Sequence, residues 1–253
     1  MHTELVSYLL LAAVAFIAGC MNAVAGGGTF ITFPTMMFTG IPAVVANASN
    51  SVALFPASLA SAWAYRQDFA RFEGISMKAL AVVSSLGGLV GAALLIYTPE
   101  RTFSSMVPWL LLIATTIFAF GPKLAPKLRK YVQITPGALL TIQFFISIYG
   151  GYFGGAMGIV MLAFFTLFGM SDLNAMNAMK ALLAGLINAI AVVLFVVAGK
   201  IAWPQTIVML IAAVIGGYYG ARVARNINPL FIRRAIIVIS VIVTIVFFAK
   251  TWL

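Results

Sequence analysis

Long apolar runs separated by short polar gaps divide the chain into two halves with the same order of segments. In the first half the apolar runs cover residues 5–25, 29–39, 43–65, 75–97 and 103–121. In the second half they cover residues 137–153, 157–168, 173–199, 203–224 and 229–249. The runs are continuous and nearly uncharged, as membrane-spanning helices require, whereas membrane strands alternate over about ten residues. The pattern predicts an all-α integral membrane protein, a polytopic helical bundle.

The second run of each half is too short to cross a bilayer. Residues 29–39 and 157–168 provide 11 and 12 residues, whereas a helix needs about 20 residues to cross the hydrocarbon core. We therefore expect half-helices or re-entrant hairpins at these two places. The pattern leaves open whether the two runs span the membrane or re-enter it.

A glycine-rich break precedes each short run. The glycines of the breaks are Gly26, Gly27 and Gly28 in the first half and Gly154, Gly155 and Gly158 in the second. Glycine lets the backbone unwind, and the N–H groups at the start of the following helix can then bind an anion. Unwound backbone is tolerated inside a membrane only where it lines a cavity or packs against protein. Close helix packing is the alternative, and it better explains the glycines that lie elsewhere, at Gly87, Gly88, Gly91, Gly216, Gly217 and Gly220.

Several landmarks recur at a nearly constant separation, which indicates an internal duplication. Gly28 matches Gly158 and Asn47 matches Asn177, both 130 residues apart. The run that begins at Gly87 matches the run that begins at Gly216 at 129, and Thr98-Pro99 matches Asn228-Pro229 at 130. We therefore predict one membrane domain over residues 1–253, with repeats at 1–121 and 137–253 joined by a basic cytoplasmic linker at 122–136.

The basic residues lie in different loops of the two halves. In the first half they are Arg66, Arg71 and Lys78 in one loop and Lys123, Lys127, Arg129 and Lys130 in the linker. In the second half they are Arg222, Arg225, Arg233 and Arg234, whereas the counterpart of the first loop keeps only Lys200. Because basic loops face the cytoplasm, this exchange predicts that the two repeats have inverted topology.

The composition agrees with a membrane protein and excludes several other classes. Hydrophobic residues make up 63% of the chain and charged residues 8%, against about 25% charged in soluble domains. The net charge of +10 comes from loop residues that suit lipid head groups rather than nucleic acid. One Cys and one His exclude a disulfide framework and a Cys/His metal cluster. The first run follows Glu4 without a basic region, so we interpret it as a retained segment and not a signal peptide.

Lys180 is the charged residue that the apolar pattern does not explain. It lies about two turns, roughly 10 Å, into the run that follows Asp172, and an ionisable residue inside a membrane marks a functional site by default. Snorkelling of its ammonium group to the interface is the alternative. Asp172 follows Ser171 at the start of that run, so helix capping is the expected role and proton coupling a possible second one.

Amides and hydroxyls accompany Lys180 at helical spacing. Asn177 shares its helix face, and Asn47, Asn50 and Ser51 repeat the arrangement in the first half. An ammonium group, amides and hydroxyls could together coordinate a small oxyanion, and the break amides would complete the shell. Hydrogen bonding between membrane helices is the alternative role of these polar residues.

The motifs resemble those of the TauE/SafE family of sulfite exporters over nearly the whole chain. The resemblance rests on the residues around the two breaks, 26–34, 40–42, 46–48, 150–158 and 174–180. It implies a permease of the bacterial inner membrane for small sulfur-containing or organic anions, such as sulfite, sulfonates or sulfoacetate. The second break departs from the three-glycine form, because Ala156 and Met157 separate Gly155 from Gly158. The two halves are therefore not expected to be equivalent at the site.

Together these features predict a secondary transporter that works by alternating access, with a small anion and the lipid bilayer as its partners. The sequence contains no nucleotide-binding motif and calls for no cofactor, so the substrate gradient or protons would drive transport. An anion channel on the same scaffold and a non-transporting structural or lipid-binding protein are the alternatives. An enzyme is not indicated, because the apolar runs contain no His, no paired carboxylates and no nucleophile with its base. The anion, the direction, the coupling ion and the oligomeric state stay open.

Overall fold

The computed structural model describes residues 2–24, 26–69, 74–131, 135–223 and 229–252. Within these ranges the chain forms ten helices and no strand. The helices of the first half are α1 (His2–Val24), α2 (Thr29–Phe38), α3 (Ala43–Ala64), α4 (Met77–Tyr97) and α5 (Glu100–Leu128). Those of the second half are α6 (Pro136–Tyr152), α7 (Met157–Phe168), α8 (Leu173–Val197), α9 (Trp203–Val223) and α10 (Pro229–Trp252).

The structure confirms the all-helical membrane bundle that the hydrophobic pattern predicts. Six helices of the described part are long and apolar enough to cross a membrane, namely α1, α3, α4, α5, α8 and α9. Helices α2 and α7 are short and apolar, with 10 and 12 residues. The large side chains that remain exposed are mostly apolar, such as Leu9, Ile113 and Ile245, as expected for a surface that meets lipid rather than water.

The fifth apolar run does not end where the sequence analysis places its end. Helix α5 continues past residue 121 to Leu128, so the segment predicted as a linker begins inside a helix. The continuation is amphipathic, because Ala125 is buried while Lys123 and Lys127 are exposed. Packing of that face holds the helix together across Pro122. Residues 132–134 of this segment, and the landmarks Arg71, Arg225 and Asn228, lie outside the described residues.

Glycines allow two pairs of helices to pack backbone against backbone. Helix α1 packs against α9, where Gly216 faces the Phe16 carbonyl and a Cβ on Gly220 would lie 2.5 Å from the Cα of Cys20. Helix α4 packs against α6 in the same way, and a Cβ on Gly87 would lie 2.6 Å from the Phe144 carbonyl oxygen. At these positions, outside the breaks, glycine therefore serves close helix packing.

Helices α3 and α8 cross in the interior and run antiparallel. The Ser49 hydroxyl near the start of α3 accepts a hydrogen bond of 2.9 Å from the amide of Ala202, just beyond the end of α8. Further along α3, Leu59 contacts Gly185 in the middle of α8. Residue numbers thus rise along one helix as they fall along the other. Helix α3 is the most deeply buried of the six long helices, so polar residues on its inner face lie inside the bundle.

Candidate functional site

The two glycine breaks cross each other in the interior of the bundle. A Cβ added to Gly26 would lie 2.9 Å from the Cα of Gly158, and one added to Gly158 would lie 3.1 Å from the Cα of Gly26. Gly26 also has a φ of 69°, which an L side chain adopts only with strain. This contact brings the N-terminal ends of α2 and α7 together. Both ends carry partial positive charge, which favours an anion between them.

A cavity of about 40 Å³ lies beside the crossing. It has room for a few water molecules. Both breaks and the inner faces of α3 and α8 line it, and the predicted site residues among its lining are Gly26, Gly27, Asn50, Ser51, Gly154, Gly158 and Lys180. Leu54, Met157 and Phe153 supply part of its apolar wall.

The other predicted site residues lie behind this wall or away from it. Gly28 donates its amide hydrogen to Asn22, and the Gly155 carbonyl accepts a hydrogen bond from the Tyr149 hydroxyl. Asp172 is exposed at the N-terminus of α8, where its Oδ1 accepts a hydrogen bond of 2.9 Å from the Asn174 amide. The capping role expected for Asp172 is therefore observed, and the side chain does not line the cavity.

Lys180 is 2% exposed, and its ammonium group stays inside the bundle instead of reaching the interface. Its Nζ donates hydrogen bonds to Asn177 Oδ1 at 2.8 Å and to the Asn22 carbonyl at 3.0 Å. A third, longer contact of 3.4 Å reaches the Ala23 carbonyl. Both carbonyls belong to the last turn of α1, where a cation stabilises the negative end of the helix dipole. The long contact leaves the third N–H the least strongly held, and so available to a ligand.

The amides of the first break are not open to a ligand as the sequence analysis expects. Asn22 Oδ1 accepts hydrogen bonds from the amides of Gly27 at 2.9 Å and Gly28 at 2.8 Å. Gly26 donates to the Met21 carbonyl at 3.1 Å. A polar side chain in the last turn of α1 thus satisfies the start of α2, because buried N–H groups need an acceptor. In the second break, the Gly158 amide donates to none of the described residues.

The two asparagines of α3 make hydrogen bonds that do not involve Lys180, each to a different helix. Asn50 accepts a hydrogen bond from the Thr32 hydroxyl and donates to the Thr29 hydroxyl at 3.3 Å. Asn47 does not line the cavity, and its Nδ2 donates to the Tyr152 carbonyl at 2.8 Å. Its Oδ1 is buried and has no hydrogen-bond partner among the described residues. Asn47 therefore joins α3 to the end of α6, as Lys180 joins α8 to the end of α1.

Five polar residues of the cavity lining were not among the predicted site residues: Asn22, Thr29, Ser58, Ser61 and Asn188. Asn188 is 9% exposed, and its side chain makes no hydrogen bond to another described residue. Its position on the same helix face as Asn177 could have indicated it. Asn22 gave a weaker signal, since its counterpart 130 residues later is Tyr152. A search for repeated polar positions therefore passes over it.

The arrangement offers hydrogen-bond donors and one positive charge around a small space. Among the described residues, no group of three His, Cys, Asp or Glu side chains is placed to hold a metal ion. The lining contains one ammonium group, carboxamide N–H groups and the backbone amide of Gly158, a set of donors that suits a small anion.

Comparison with known proteins finds membrane transporters. The model of the sulfite exporter TauE/SafE family matches residues 11–247. A probable membrane transporter protein of Haemophilus influenzae is 29% identical over 239 residues, which cover 93% of this chain and 92% of that protein. The probable membrane transporter protein YfcA of Escherichia coli K12 is 30% identical over 251 residues, 95% of this chain and 90% of that protein. No solved structure matches the chain.

Proposed function

The chain belongs to the sulfite exporter TauE/SafE family, and we propose that it carries small sulfur-containing or organic anions, such as sulfite, sulfonates or sulfoacetate, by alternating access. The coarser function is established by that membership and by the curated relatives: the protein is a multi-pass membrane transporter, consistent with the bacterial inner membrane. The family description names an exporter rather than an enzyme.

The buried charge of Lys180 at the crossing of the breaks is the observation that carries the anion assignment. An ammonium group removed from water needs compensation by an opposite charge or by several hydrogen bonds. Its partners in the protein are three neutral oxygens. Within the described part of the chain no carboxylate lines the cavity. An anion in the cavity would supply the missing charge, and the N-terminal ends of α2 and α7 would add to its stabilisation.

Two features of the packing support inverted repeats and alternating access. Helices α3 and α8 occupy the same place in the two halves, and they run antiparallel, as inverted repeats require and repeats of parallel topology do not. Two further helix pairs follow the same symmetry: α1, the first helix of the first half, packs against α9, and its counterpart α6 packs against α4, the counterpart of α9. The proposed site lies between the halves, so rocking one half against the other would expose it to either side in turn.

Two hydrogen-bonded contacts between the halves would open and close in this motion. Lys180 of the second half holds the last turn of α1, and Asn47 of the first half holds the last turn of α6. The small volume of the cavity, about 40 Å³, favours a carrier over the alternative of an open anion channel. The substrate gradient or protons would drive transport. Asp172 lies outside the cavity, so its position gives proton coupling no support.

Uptake of radiolabelled sulfite and a sulfonate into proteoliposomes tests the proposal. The parent protein is compared with Lys180→Ala, and Lys78→Ala serves as a matched control because it removes the same charge from an exposed position. We expect saturable uptake by the parent and by Lys78→Ala, and at least a tenfold lower rate for Lys180→Ala. Linear, unsaturable flux would favour the channel. Absence of uptake by a well-folded parent would contradict these substrates, and equal uptake by all three proteins would remove Lys180 from the site.

A further inference from the structure

The side chain of Asn22 has a fixed orientation at the crossing of the breaks. One atom of its carboxamide group faces two backbone N–H donors, the amides of Gly27 and Gly28. Only an oxygen can accept from both, so the geometry itself identifies this atom as Oδ1 and the other as Nδ2. The carbonyl oxygen of Asn22 accepts from Lys180 Nζ at 3.0 Å. One residue therefore joins the start of α2 to the buried ammonium group.

The remaining atom, Nδ2, is left for a ligand. Asn22 lines the cavity together with Lys180, and its Nδ2 donates to no other residue that the structure describes. This Nδ2 is therefore free to donate into the cavity, and an anion bound beside Lys180 would supply the acceptor. Asn188, also on the wall, is another carboxamide without a described partner.

The single positive charge in the cavity lining limits the negative charge of the ligand that the cavity can hold. Lys180 is the one charged side chain in the described lining. The hydroxyls of Ser51, Ser58 and Ser61 donate to carbonyls of α3 at 3.1, 3.1 and 2.9 Å, so they turn lone pairs rather than protons towards the cavity. One positive charge balances one negative charge, and a second negative charge would meet these lone pairs without a cation.

We propose that Asn22 is a specificity-determining residue of the transport site: its Nδ2 donates to the substrate beside Lys180, and the pair selects a monovalent oxyanion over a divalent one. The inference rests on the proposed function and narrows its substrates to the monovalent ones, hydrogensulfite and simple sulfonates, at the expense of divalent anions such as sulfoacetate. Asparagine is required for two reasons. Its oxygen holds the start of α2, and its lack of charge leaves the charge of Lys180 for the substrate.

Asn22→Asp separates these two roles. The carboxylate keeps an acceptor for the amides of Gly27 and Gly28, removes both N–H donors and neutralises Lys180. Asn22→Ser is the uncharged second variant, which also loses the amide donors. Asn174→Asp is the matched control, because it makes the same chemical change in the first turn of α8, away from the cavity.

Binding to the purified full-length proteins is measured by isothermal titration at pH 7 with methanesulfonate, a fixed monoanion, and with sulfate, a fixed dianion. We expect the parent and Asn174→Asp to bind methanesulfonate at least tenfold more tightly than sulfate. Asn22→Asp should lose at least tenfold in affinity for methanesulfonate, as expected for a lost hydrogen bond to an ion, without a lower Tm in the absence of ligand. Asn22→Ser should lose less, because it adds no negative charge.

Affinity of both Asn22 variants within twofold of the parent would overturn the inference, as would a parent that prefers sulfate. If Asn22→Asp does not fold, Asn22→Ser decides alone. Sulfite uptake by the same proteins separates the two proposals. Uptake by the parent together with unchanged Asn22 variants overturns the role of Asn22 only, whereas a parent that neither binds nor transports these anions overturns both.

Discussion

The crossing of the two breaks predicts that Gly26→Ala damages the protein more than a glycine substitution at an equally strained position. In Gly26→Ala the new Cβ would lie 2.9 Å from the Cα of Gly158 and 3.3 Å from its carbonyl carbon. Gly40 provides the matched control. Its φ of 90° is also in the left-handed region, but a Cβ there would meet nothing within 4 Å.

The stability loss of each variant has two parts, backbone strain at the substituted residue and steric contact of the new Cβ. A left-handed alanine costs roughly 1–2 kcal/mol, and both variants carry this penalty. Gly26→Ala must also move the two breaks apart by about 0.5 Å to reach the 3.4 Å at which ordinary contact begins. Both contacting atoms are backbone, so no side chain can rotate away, and overpacking of this kind costs about 1–3 kcal/mol. We expect a total of about 2–5 kcal/mol for Gly26→Ala against about 1–2 kcal/mol for Gly40→Ala.

Thermal unfolding of the two purified variants in the same detergent measures the difference, and uptake into proteoliposomes measures its effect on function. Gly26→Ala should have the lower Tm of the two. At a temperature where both are folded, it should transport more slowly, because the separation of the breaks moves the wall of the cavity. Equal Tm and equal uptake for Gly26→Ala and Gly40→Ala would refute the argument that the two breaks are in contact at the site.

Two further predictions concern the scaffold. Gly91→Ala should lower the free energy of unfolding by more than about 3 kcal/mol, since its Cβ would overlap the Ile148 carbonyl. Gly121→Ala is the control, because its Cβ would lie 3.7 Å from its nearest neighbours and should change the Tm little. Similar losses for both variants would contradict close packing of α4 on α6. Glu100→Ala should cost about 0.5–1 kcal/mol, because the carboxylate accepts from the Val44 amide at 3.1 Å in the first turn of α3. Glu100→Gln keeps an acceptor and should lose less; an equal Tm for parent and Glu100→Ala would show that this cap contributes nothing.

The sequence predicted the helices well where a single residue decides a boundary. Pro42 precedes the first residue of α3, and Gly169 follows the last residue of α7 with a φ of 117°, so local chemistry sets both ends. The end of α5 does not follow from local sequence, because the helix continues past Pro122 to Leu128. The burial of Ala125 supports this continuation, and tertiary contacts of this kind are not visible in local sequence.

The candidate site was predictable where it contains residues that are energetically unfavourable inside a membrane. Lys180 and the glycine breaks are expensive inside a membrane, so each points to the cavity without knowledge of the fold. Which polar atoms face that cavity depends instead on the path of the unwound backbone. Asn47 and Asn50 lie one turn apart, yet Asn50 lines the cavity while Asn47 binds the Tyr152 carbonyl. The occupation of the Gly27 and Gly28 amides by Asn22 follows from that path as well.

Comparison of the two halves locates the site more sharply than either half alone. At a separation of 130 residues, Lys180 corresponds to Asn50 and Tyr152 to Asn22. The helix order and the glycine contacts are shared, whereas these pairs differ, and three of the four side chains line the cavity. We therefore expect the scaffold to derive from the predicted duplication, and the proposed anion site to depend on the positions at which the two halves differ. Asn22 is one of the positions at which the halves differ. A search for repeated motifs therefore finds the glycines but does not find Asn22, whose side chain binds the Gly27 and Gly28 amides.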